Sequence, residues 1–142
     1  MNREPIMEAL KAKLSMPEFK TVSRRLRMFG DVPHAEMPAL FIIEPSEAYA
    51  QTERLPSKTT FDVELWVYIC DGVDQNTVPV TVLNGLLDKI DDALSPDPPP
   101  HPRVQTLGGL VSHCWIEGQI EKTPGDLDGI GLARIPLKIL IP

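Results

Sequence analysis

Apolar positions near the start of the chain repeat with a helical period. Ile6, Leu10 and Leu14 fall at i, i+4 and i+8, with Met7 beside them. One apolar stripe of this kind predicts a helix over 2–15, with Asn2 placed to cap it and Pro17 to stop it. From Thr21 the period changes to two. Val22, Leu26 and Met28 alternate with Ser23, Arg25 and Arg27, and Arg24 breaks the apolar set. That pattern predicts a half-buried strand, closed by a turn at Gly30-Asp31 and Pro33. The short run Ala39 to Ile43 lies between Pro38 and Pro45 and predicts a strand covered on both faces. A polar loop over 46–57, carrying Arg54, is expected next.

The clearest strand is Lys58 to Cys70. Phe61, Val63, Leu65, Val67 and Ile69 share one face, and Asp62, Glu64, Trp66, Tyr68 and Cys70 share the other. A second helix is predicted by the stripe Val80, Leu83, Leu86, Leu87, Ile90 and Leu94, with Pro79 in its first turn and Asn76 or Thr77 as its cap. A proline loop over 95–103 separates it from a third long strand, Leu110 to Lys122. There Leu110, Ser112, Cys114, Ile116 and Ile120 alternate with Val111, His113, Trp115, Glu117 and Gln119. A hairpin loop over 123–131 leads to a last strand, 132–141, with Ala133, Ile135, Leu137, Ile139 and Ile141 on one face. The expected fold is α+β, a mainly antiparallel sheet with two amphipathic helices packed on one face. The connection through the second helix is long enough for a crossover.

The length of 142 residues fits a single domain over 1–142 that can bury a core without metal or disulfide. Hydrophobic residues at 42% and charged residues at 24% are globular values, and the mean hydropathy is -0.09. No apolar run approaches the roughly 20 residues of a membrane helix, so no membrane partner is expected. The start, Met-Asn-Arg-Glu-Pro, lacks the apolar stretch of a secretory signal. Proline is the unusual count, 15 residues, which points to stiff loops between folded elements. The net charge of -6 disfavours tight duplex binding, which needs a positive face toward phosphates. Cys70 and Cys114 lie apart in apolar segments and are expected to be buried, reduced thiols.

Catalytic and cofactor signatures are missing. The chain has no phosphate-binding glycine loop, no nucleophile elbow and no HExxH, and no cofactor is expected. His113, Cys114 and Cys70 could be imagined around zinc, but adjacent strand residues point to opposite faces. The loop Gly125 to Gly129 mimics the start of a calcium loop without its closing Glu. Asp88, Asp91 and Asp92 form an acidic group with no His or Ser at helical spacing, as expected of a solvated helix face.

Two features remain. Arg24, Arg25 and Arg27 form the one local basic group, either an edge-strand device against strand addition or a partner site for an acidic neighbour. Trp66, Tyr68 and Trp115 share a face with Asp62, Glu64, His113, Glu117, Arg134 and Lys138. Aromatics mixed with charges suit a protein–protein contact, unless loops 46–57 and 95–103 cover them. The candidate interface residues are therefore Arg24, Arg25, Arg27, Arg54, Glu64, Trp66, Tyr68, Trp115 and Asp126.

Several short words extend this picture: Met37-Pro38-Ala39-Leu40-Phe41-Ile42, Phe61 to Tyr68, Leu83 to Asp91, Thr106 to Val111, Cys114 to Gly118 and Ala133 to Leu137. In their order along Ile6 to Pro142, they resemble tail terminator (tail completion, minor tail) proteins of long-tailed bacteriophages and related gene transfer particles. The resemblance implies a non-enzymatic α+β subunit of a virion tail, assembled in the host cytoplasm. It implies a homo-oligomeric, six-fold ring that caps the tail tube, meets the tube and head–tail connector proteins, and lets DNA pass through its lumen without specific binding. Another connector, tail tube or baseplate subunit is the nearest alternative. A small cytosolic ligand-binding domain or enzyme using His113 is the alternative from another class.

Overall fold

The structure, a computed structural model, describes residues 2–70, 76, 78–98, 103–125 and 130–142. Helix α1 (Arg3–Leu14) buries Ile6, Met7, Leu10 and Leu14, the stripe read from the sequence. Asn2 holds the cap position without a side-chain bond. Strands β1 (Thr21–Ser23), β2 (Ala39–Ala50) and β3 (Lys58–Cys70) follow, then α2 (Pro79–Ala93), β4 (His113–Ile116), β5 (Glu121–Thr123) and β6 (Ile130–Ile141). They build one six-stranded sheet in the order β1-β2-β3-β6-β4, with β5 also on β6. Among the described residues, only β1 and β2 pair in parallel. β3 and β4 both lie antiparallel to the β6 between them, so the path through α2 is a crossover. The fold class is the expected α+β.

Both helices pack on the same face. Their stripes close over Phe61, Val63, Leu65, Val67 and Ile69 of β3 and over Ala133, Ile135, Leu137 and Ile139 of β6. Pro79 opens α2, where its missing N–H has no partner to lose. Val78 sits at the cap position, not Asn76, and Thr77 lies outside the described residues.

Four stretches depart from the sequence reading, each for a local reason. The strand expected from Thr21 to Met28 ends at Ser23. The Ser23 hydroxyl accepts the Arg25 N–H, and the Arg24 side chain folds back toward helix α1, so the ladder stops. β2 runs on past Pro45 to Ala50, into the expected loop. Glu44 and Pro45 form a bulge between Ile43 and Ser46, which takes a proline without breaking the strand. The long strand expected over 110–122 is two short ones. Its break faces Pro136, and Gly118 turns at φ 114°, with space for a Cβ only 3.2 Å from the Pro136 ring. Upstream, Leu107 (φ 50°), Gly108 and Gly109 coil around Thr106, which puts Val111 in the core and leaves Leu110 39% exposed, the reverse of the alternation expected there.

The fourth departure is the second face of the sheet. Segment 28–37, with two short 3-10 turns at Phe29–Asp31 and His34–Glu36, folds across one end of it. Val32, Met37, Ala39, Phe41 and Tyr68 form a second, smaller core there. At this end the cover is segment 28–37; at the other end Ser95, Pro96 and Arg103, from the 95–103 loop considered from the sequence, line a groove with His113 and Trp115.

Candidate subunit interface

The aromatic and charged face is divided by the sheet register into three zones. At one end, Tyr68 and Trp66 stand beside Leu132. In the middle, charges pair across strands. Glu64 meets Arg134 at 3.5 Å, and Lys138 bonds Asp62, which also accepts from the Ser46 hydroxyl at 2.7 Å. At the far end, Trp115 pairs with Lys138, four residues along β6 from the Arg134 that pairs with Trp66, or about 13 Å. Trp66 and Trp115 therefore do not share one patch.

Tyr68 is a correction to the sequence reading. It is 2% exposed, between the rings of Phe41 (5.1 Å) and Phe29 (5.2 Å), and its hydroxyl donates to the Arg27 carbonyl at 2.7 Å. Burial raises its pKa, so the bond is made by the neutral phenol. Tyr68 supports a surface instead of presenting one. That surface is a groove of about 400 Å³ lined by Leu26, Arg27, Met28, Phe29, Trp66, Tyr68 and Leu132. Leu26 and Met28, expected inside a strand, are 36% and 76% exposed on its rim. Trp66 keeps one ring face under the Arg134 guanidinium, 4.9 Å from the centroid, and donates its indole N–H to Glu64 at 3.0 Å.

The three arginines of the basic group separate. Arg24 is tied to Glu4 and Glu8 of α1 and to Glu44 of β2, at 2.8, 2.8 and 2.7 Å. Those bonds fasten β1 to the helix, an internal role that its sequence position did not reveal. Arg27 pairs with Glu36 at 3.0 Å and lies over Phe41. Arg25 is exposed and has no ion-pair partner among the described residues. β1 is a sheet edge, but Arg24, Arg25 and Arg27 all lie past its end at Ser23 and so are not edge-strand residues. Arg54 is exposed at the tip of the β2–β3 hairpin, with a left-handed φ of 64°. Asp126, and most of the calcium-like loop, lie outside the described residues.

The remaining chemistry is structural. His113 accepts the Gln105 N–H on Nδ1 at 3.1 Å and stacks on Trp115 at 4.8 Å. Cys114 is buried, and desolvation pushes its thiol up to about 12, which leaves it unreactive. Cys70 is only half-buried, since the second core closes over its face incompletely. Among the described residues, no group of three or more His, Cys, Asp or Glu is placed to hold a metal ion. The crease beside Glu64, Glu121 and Arg134 holds about 100 Å³, below the few hundred Å³ of small-molecule sites.

The ion pairs give the fold a defined response to acid. Hydrogen bonds from Lys138 and then Ser46 hold the Asp62 carboxyl below its ordinary 3.8. A bond from Arg24 does the same for Glu4, and one from Arg3 for Glu47, relative to 4.5. Carboxyls lowered in the folded state contribute stability that is full above their unfolded values and lost as pH falls through the folded ones. The melting temperature is therefore expected to be flat above about pH 5 and to fall as the pH drops toward 3. Arg24→Gln should flatten that acid limb, because Glu4 then titrates alike in both states. Thermal melts of both proteins across this range check it, and an equal or steeper limb in the variant contradicts it.

Comparison with solved structures finds this arrangement elsewhere. A chain from the virion of a native gene transfer agent particle aligns with a TM-score of 0.50 and 10% identity. The alignment covers 96% of this chain and 90% of that one. The two share an α+β fold from end to end. No family model and no curated protein matches the sequence.

Proposed function

We propose that this chain is a structural protein of a phage-like virion and, within it, the tail terminator. In this reading, a ring of copies, six by the sequence resemblance, caps the finished tail tube and joins it to the head. The observation that carries the reading is the end-to-end fold similarity to a chain of a gene transfer agent virion, in the direction that the short sequence words give independently. The site chemistry supports it. The polar groups of the second face are used in pairing strands and packing rings, and the chain is not an enzyme in this account. Its net charge of -6 favours DNA sliding through a lumen over DNA held there. Its partners are further copies of itself, the tail tube protein and the head–tail connector.

The test is removal of the chain from particle production, followed by addition of the purified protein. The expected result is loose heads beside tails of uncontrolled length, with joining restored by the addition. Tails of normal length joined to heads in its absence would contradict the reading.

A further inference from the structure

We infer that the joint between neighbouring copies is made by the tip of the β2–β3 hairpin of one copy seated in the Leu26–Met28–Trp66 groove of the next. The inference deepens the ring reading above and rests on it.

Both halves of this contact are exposed and apolar. Met28 is 76% exposed on the groove rim, and Leu55 at the tip and Tyr49 on its approach are 54% and 62% exposed. Side chains of this size are seldom left in water in clusters unless something covers them. The tip is also held in shape before it meets anything. Gln51 donates to the carbonyls of Thr52 and Leu55, at 3.2 and 2.5 Å, and accepts from the Ser57 hydroxyl. Ordering in advance lowers the cost of association.

The charges of the two parts match. The groove-lining segment is flanked by Arg25 on one side and Asp31 on the other. The tip carries Glu53 and Arg54 beside Leu55. All four are exposed, and none has an ion-pair partner among the described residues. Seating Leu55 beside Met28 offers Glu53 to Arg25 and Arg54 to Asp31, which fixes the direction of entry.

One chain cannot make this contact with itself. Groove and tip are built on the same strand. Trp66 lies eight residues along β3 from Lys58, where the tip begins, a separation of about 26 Å. A plug and a socket at different places on one rigid sheet make a head-to-tail contact, which closes into a ring when the rotation allows.

The experiment uses single cysteines, Met28→Cys and Leu55→Cys, each in a Cys70→Ser background; the buried Cys114 stays in place. Oxidation of the two proteins mixed is expected to give inter-chain disulfides between them, with neither protein cross-linking alone. Arg25→Glu is expected to weaken self-association by about tenfold, by leaving like charges opposed, and Glu53→Arg in the same chain to restore it. Sedimentation reads both. Absence of the mixed disulfide, self-linking of Met28→Cys alone, or charge reversal without effect overturns the joint. Rings of the parent protein in electron micrographs, seen together with such a failure, leave the ring reading standing. A parent that never self-associates overturns both.

Discussion

Leu83→Ala is expected to lower the unfolding free energy by about 2–5 kcal/mol. Leu83 is 0% exposed and sits in the middle of the α2 stripe, in the core shared with α1, β3 and β6. Truncation removes its transfer energy and leaves a cavity in a close-packed core shared by several elements, so collapse around the gap is restricted. Against a total of about 5–15 kcal/mol for an ordinary domain, this is a large fraction. Leu87 on the next turn is 8% exposed, and its truncation should fall at the lower end of the same range. Chemical denaturation measures both. A loss below about 1 kcal/mol at Leu83 would mean that the stripe does not face the sheet.

Phe41→Ala is expected to cost about 3–5 kcal/mol and to act in a different place. Phe41 is 0% exposed in the second core, against Tyr68 and beneath the Arg27 guanidinium. Its removal takes away part of the surface that segment 28–37 covers and one of the two rings that hold Tyr68. Besides the global loss, amide exchange in that segment should speed up more than exchange in α2. Leu83→Ala should give the reverse order. Equal exchange changes in the two regions for both variants would show one core where two are described.

The main face was legible in the sequence because period and burial agree there. The stripes Ile6-Leu10-Leu14 and Leu83-Leu87-Ile90 and the alternation of β3 and β6 all end in one core. The second face was not legible, because the residues that cover it are not periodic. Phe29 opens a short 3-10 turn, Val32 and Met37 each directly follow one, and their spacing carries no pattern to mark them as a lid. Arg24 and Tyr68 misled for a related reason. Alternation puts Tyr68 on the polar face of its strand and Arg24, against its type, on the apolar face, and each is claimed by a tertiary contact from a distant element: Glu4 and Glu8 for Arg24, the Arg27 carbonyl for Tyr68. The groove could have been anticipated only from Leu26 and Met28, two apolar residues among arginines, which the strand reading had placed inside.

The central claim is a place in a particle, and electron cryomicroscopy of that particle tests it most directly. The account predicts density fitting this chain in one ring between the tail tube and the head, with the β2–β3 hairpin of each copy against the groove of its neighbour. The same density found elsewhere in the particle, or no density for the chain in finished particles, would contradict it.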